Sequence, residues 1–144
     1  MASVLVVDDE SMIRQILIRW LERDGHEVRE AENADLALQT MAARPADVVF
    51  CDIQMPGHDG RWLTGELRAR YPGTAVILAT ADVMLPPVLS LQDGVQAYVV
   101  KPFSRSAILA AAQRGVAWHQ SASSTAPGAG RDPDEMKAWL ESLD

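Results

Sequence analysis

Short apolar runs punctuate the chain: Val4-Leu5-Val6-Val7, Val48-Val49-Phe50-Cys51, Ala75-Val76-Ile77-Leu78-Ala79 and Ala97-Tyr98-Val99-Val100. Each is brief and continuous, the pattern of a strand covered on both faces. Residues 27–31 add a weaker strand, second in chain order, with Val28 its one strong apolar member. Between these runs the period becomes helical. Over 11–23, Ile13, Ile16, Leu17, Trp20 and Leu21 recur at helical spacing among charged residues, and Gly25 supplies a stop. Residues 34–43 form a second helix, ended by Pro45, and a third runs from Gly60 through Arg70 to the stop at Tyr71-Pro72-Gly73. Leu85 to Leu91 has helical spacing, but Pro86 and Pro87 confine it to a short helix that starts at one of them. Ser104 reads as the N-cap of a final helix that ends near Trp118.

Strands alternating with helices require crossover connections, hence a parallel sheet with helices on both faces. Such sheets place their ligands beyond the carboxyl ends of the strands. The residues there are Asp8 and Asp9 after the first strand, Asp52 after the third, Thr80 at the end of the fourth and Lys101 after the fifth. An otherwise apolar sheet thus delivers its polar groups to one edge.

Composition narrows the function. The 144 residues suffice for one domain with its own core. A formal net charge of -7 argues against broad binding to nucleic-acid backbones. Cys51 is the single cysteine, so no intrachain disulfide can form, which fits a reducing, cytoplasmic setting. Alternation turns it away from Asp52, as a buried, inert thiol. His26, His58 and His119 are scattered and predict no histidine metal site. The N-terminus has no basic segment before its apolar run, and neither a signal peptide nor a membrane span is expected. Residues 1–120 read as one domain, and 121–133, rich in Ser, Ala, Gly and Pro, as a flexible linker. Residues 134–144 offer a short helix with Met136, Trp139, Leu140 and Leu143 on one face, either a free end or the start of an output region beyond Asp144.

Asp8, Asp9 and Asp52 converge with only Lys101 as a cationic neighbour, and like charges so close resist joint ionisation. A divalent cation resolves the repulsion, and hard oxygen donors suit Mg2+. One carboxylate then remains as a nucleophile toward phosphorus. Lys101 would neutralise phosphoryl oxygens, and the Thr80 hydroxyl would donate to them.

With Asp8-Asp9, Asp52 followed by Met55-Pro56-Gly57-His58-Asp59-Gly60, Thr80-Ala81 and Lys101-Pro102-Phe103 each placed after a predicted strand, the chain resembles the receiver domain of bacterial two-component response regulators over residues 2–119. The resemblance implies a flavodoxin-like, doubly wound, five-stranded parallel sheet of order 2-1-3-4-5 with five flanking helices. It implies that Asp52 takes a phosphoryl group from a sensor histidine kinase or phosphotransfer protein. Mg2+ is then bound by Asp9, Asp52 and the Gln54 carbonyl, with Asp8 acting directly or through water. Lys101 pairs with the phosphate across a cis peptide to Pro102. Thr80 and Tyr98 act as switch residues that reshape the face made of the fourth helix, the fifth strand and the final helix, altering the binding of a downstream protein. Gln54, Ala81 and Asp82 occupy positions that tune dephosphorylation.

Two departures from the pattern stand out. Gln96-Ala97 replaces the acidic pair of many DNA-binding regulators, which weakens the case for their salt-bridged dimer and leaves the oligomeric state open. Pro86-Pro87 makes the fourth helix unusual. Two other functions compete: a docking module that is never phosphorylated, and an aspartate-based phosphatase. The latter needs a second aspartate two residues after the nucleophile, where Gln54 stands.

Overall fold

A computed structural model describes residues 2–80 and 95–125. The elements are β1 (Ser3–Val7), α1 (Ser11–Arg23), β2 (Glu27–Ala31), α2 (Ala34–Ala43), β3 (Val48–Asp52), α3 (Gly60–Arg70), β4 (Ala75–Thr80), β5 (Ala97–Val100) and α4 (Arg105–Thr125). The five strands form one parallel sheet in the order β2-β1-β3-β4-β5. That is the expected doubly wound topology, with four helices among the described residues. The short helix expected near Pro86, and the 134–144 segment, lie outside them.

The strand period of two sorts the core into two layers. Leu5, Val7, Val49, Cys51, Val76 and Leu78 face Ala37 and Met41 of α2 and Leu63 and Leu67 of α3. The alternate positions, Val4, Val6, Val48, Phe50, Ile77 and Val99, face Leu17 and Leu21 of α1 and Ile108 and Ala112 of α4. The largest of these side chains are fully buried, each contributing roughly 1.5–3 kcal/mol.

Two sequence-based expectations change. The helical spacing groups Ile16 with the apolar stripe of α1, but it is 40% exposed, because the contact line runs through Leu17 and Leu21 and leaves Ile16 more than a quarter turn away. The final helix runs to Thr125, past the expected end near Trp118 and into the stretch read as linker. Ser and Ala bias composition toward a linker without breaking a helix, and the first breaker on the path is Pro127. The predicted N-cap is present: the Ala107 N–H donates to Ser104 Oγ at 3.1 Å.

Candidate functional site

The same parity that builds the core aims the site. Asp8 continues the Val4-Val6 face of β1, Asp52 the Val48-Phe50 face of β3, and Lys101 the Ala97-Val99 face of β5. All three therefore arrive on one side of the sheet at its carboxyl edge. Lys101 Nζ lies 3.1 Å from Asp8 Oδ2 and 3.2 Å from Asp52 Oδ2, with Glu10 Oε1 further off at 3.8 Å. The two aspartate side chains are only 3% and 4% exposed. The Lys101–Pro102 peptide bond is cis.

The loop after β3 holds Asp52 from behind. Its Oδ1 accepts from the Gln54 N–H at 3.1 Å. The Ile53 N–H donates to the Ala79 carbonyl of β4, and the Gly60 N–H to the Ile53 carbonyl. Gly57 turns the chain at φ +78°, a conformation that costs an L side chain but not glycine. Asp59 then caps α3, accepting from the Trp62 N–H at 3.0 Å. Gly60 has no room for a side chain, since a Cβ there would sit 2.8 Å from Ile53 Cα and closer still to the Asp52 carbonyl.

Two buried carboxylates share one ammonium, and the surplus charge falls on Asp52. Burial, reinforced by the charge of Asp8, pushes its carboxyl up to about 6, while Lys101 and the Gln54 N–H pull only partly against this. Burial acts to lower the Lys101 ammonium, but its bonds and charge interactions with Asp8 and Asp52 outweigh that and hold it above its ordinary range. Cys51 is buried on the opposite face, and burial together with the charge of Asp52 raises its thiol far above the usual range.

The possible cation donors extend beyond the predicted set. Carboxylate oxygens of Asp8, Asp9 and Glu10 all lie within 4.8 Å of one another. Glu10 also donates its N–H to Asp8 Oδ1 at 2.9 Å. Glu10 is outside the set expected from the sequence, and its adjacency to the aspartate pair is the signal that marks it. This all-oxygen, anionic donor set fits a hard divalent cation. Asp52 is linked to the group through Lys101.

Thr80 ends β4 in register with Val100, next to Lys101, and Tyr98 pairs with Leu78. The side chains of Thr80 and Tyr98, and all of Ala81 and Asp82, lie outside the described residues. Gln96, one of the departures, continues the ladder: its N–H donates to the Val76 carbonyl and its Oε1 accepts from the Val76 N–H at 2.7 Å. Among the described residues no helix is long and apolar enough to cross a membrane.

Comparison with known proteins agrees with this geometry. The family model for the response regulator receiver domain matches residues 4–113. The response regulator protein FleR of Pseudomonas aeruginosa is 38% identical over 109 residues, which cover 75% of this chain and 23% of FleR. The crystal structure of NtrX from Brucella abortus superposes with a TM-score of 0.78 at 31% identity, covering 83% of this chain and 28% of NtrX. A CheY-like receiver domain from Methanospirillum hungatei gives a TM-score of 0.78 at 26% identity, covering 84% of this chain and 98% of that one. The chain thus spans about a quarter of FleR and NtrX, and nearly all of the single-domain structure.

Proposed function

The chain belongs to the response regulator receiver domain family, and from that premise we propose that Asp52 is its phosphoacceptor, taking a phosphoryl group from the phosphohistidine of a sensor kinase or phosphotransfer protein. The observation that carries this is the buried Asp52 carboxyl, held by Lys101 at 3.2 Å and the Gln54 N–H at 3.1 Å beside an acidic cluster. An Asp52 carboxylate oxygen forms the new P–O bond while the P–N bond of the donor breaks, its electron pair leaving with the imidazole. Lys101 exchanges a carboxylate oxygen of Asp52 for the phosphoryl oxygens, keeping its second contact to Asp8. The Gln54 N–H keeps the acceptor group oriented. Asp8, Asp9 and Asp52, with the Gln54 carbonyl, would hold Mg2+, which supplies charge neutralisation to the phosphoryl group. Thr80 closes the site from β4, and Tyr98 on β5 carries the change to the face that a downstream protein reads. As a signalling module the chain is not an enzyme in the usual sense. The setting consistent with this reading is the cytoplasm.

Incubation of the full chain with acetyl phosphate and Mg2+, followed by intact mass, tests the reading. One added phosphoryl group is expected, absent in Asp52→Asn and absent with chelator. No labelling of the wild type, or labelling that persists in Asp52→Asn, overturns it.

A further inference from the structure

One residue holds both ends of the acidic loop, its guanidinium at Asp8 and its backbone N–H at Glu10, and the phosphoryl chemistry makes no use of it. Arg14, in the first turn of α1, donates its backbone N–H to the Glu10 carbonyl at 3.1 Å. Its Nη1 donates to the Asp8 carbonyl at 2.6 Å. Its Nε donates to Glu30 Oε1 of β2 at 2.7 Å. The next residue of β2, Ala31, accepts the Asp8 N–H at 3.2 Å, which closes a ring through Asp8, Arg14, Glu30 and Ala31. The Arg14 side chain is only 12% exposed, unlike Arg44, which pairs with Glu27 at 57% exposure.

The direction of these bonds matters. Asp8, Asp9 and Glu10 place like charges within 4.8 Å, so the loop gains by splaying apart. The guanidinium holds a backbone carbonyl, and its charge is met by Glu30, outside the cluster. It therefore fixes the loop without neutralising the carboxylates that a cation must find. A planar fork can serve two acceptors in different directions at once, which an ammonium at the end of a flexible stem does poorly.

We propose that Arg14, oriented by Glu30, is a positioning residue that keeps the Asp8–Asp9–Glu10 carboxylates converged for divalent-cation binding. The proposal rests on the phosphoacceptor reading above, which gives that cation its role. Mg2+ titration by calorimetry, thermal melting, and acetyl phosphate labelling across a Mg2+ series are compared for the full chain and for Arg14→Ala, Arg14→Lys, Glu30→Ala and the Arg14→Ala/Glu30→Ala double variant. Arg14→Ala is expected to weaken Mg2+ binding by about 10-fold, the scale at which groups that orient metal ligands act. Arg14→Lys and Glu30→Ala weaken it less, and the double variant is no worse than Arg14→Ala. Labelling at saturating Mg2+ returns to within about twofold of wild type, since the acceptor and Lys101 are untouched. A melting temperature that falls while Mg2+ affinity stays at the wild-type value overturns the proposal, and so does an additive double variant. If Arg14→Ala does not fold, Arg14→Lys and Glu30→Ala decide by the same comparison. A wild type that binds Mg2+ but takes no phosphate sinks the phosphoacceptor reading and leaves the Arg14 result standing; one that binds no Mg2+ overturns both.

Discussion

Asp52 and Lys101 are 49 positions apart and meet at 3.2 Å. Without the lysine, Asp52 would keep the Gln54 N–H but face Asp8 with no cation beside it; without the aspartates, the lysine would lose the contacts that offset its burial. The pairing exists because β3 and β5, separated in the sheet by β4 alone, end at the same edge with the same parity.

The surplus carboxylate should make the cation-free protein sensitive to pH. Asp52 has its folded pKa raised to about 6 from an ordinary 3.8. The folded state therefore binds its proton more tightly than the unfolded state does. Stability is favoured at low pH and is lost as pH rises from about 4 through about 6. The penalty at neutral pH is of order 3 kcal/mol. Asp52→Asn, melted in chelator, should be more stable than wild type above pH 7, and the gap should close toward pH 4. A gap that does not change with pH would disprove the assignment of the surplus charge to Asp52.

Gly60 links the fold to the site through a close backbone approach. A methyl group there would meet the Asp52 carbonyl and Ile53 Cα, backbone atoms that cannot swing aside. Gly60→Ala should cost roughly 1–3 kcal/mol, the usual range for forced overpacking. It should also displace Asp52, the proposed acceptor, so labelling by acetyl phosphate falls with stability. Gly65, on the same helix with open space at its Cβ position, is the control: Gly65→Ala should stabilise by up to about 1 kcal/mol. Equal melting temperatures for the two variants would contradict the steric argument.

Much of this was legible in the sequence because it depends on period. Runs such as Val48-Val49-Phe50-Cys51, short, β-branched and bounded by turn residues, read as buried strands, and counting by twos from them places Asp8, Asp52 and Lys101 together. Even the weak β2 is legible over the observed span, 27–31, with Val28 as its one strong apolar member. The Arg14 ring was not legible. It joins α1 to β2 through the tip of a long side chain, and such contacts follow from the packed geometry rather than from local spacing. The reach of α4 to Thr125 was missed because Ser and Ala are ambiguous until a true breaker appears.

Cys51 stands next to Asp52 in sequence yet should take no part in its chemistry. It faces Met41, Leu63 and other apolar groups on the far side of the sheet, fully buried. Burial and the neighbouring Asp52 charge keep the thiol protonated. A chromogenic disulfide reagent at pH 8 should therefore leave the native protein unmodified and react with one thiol once denaturant is added. Rapid native labelling would mean that β3 opens locally.

His119 provides a contrast at the other end of the sheet. Its Nδ1 lies 2.7 Å from the Gly73 carbonyl, and its Nε2 lies 3.1 Å from Asp47 Oδ1. Asp47 also accepts the Ser3 N–H through Oδ2 at 3.0 Å. One imidazole thus ties α4 to the residues that lead into β3 and β4. Asp52 stands five residues along β3 from Asp47, roughly 16 Å away at strand rise. His119→Ala removes these contacts and should cost about 1–2 kcal/mol. Because the loss falls at the amino edge, the rate of acetyl phosphate labelling at a temperature where the variant stays folded should match wild type. The comparison with Gly60→Ala at similar destabilisation then separates loss of stability from loss of site geometry. A labelling defect in His119→Ala equal to that of Gly60→Ala would show that the two edges of the sheet are coupled.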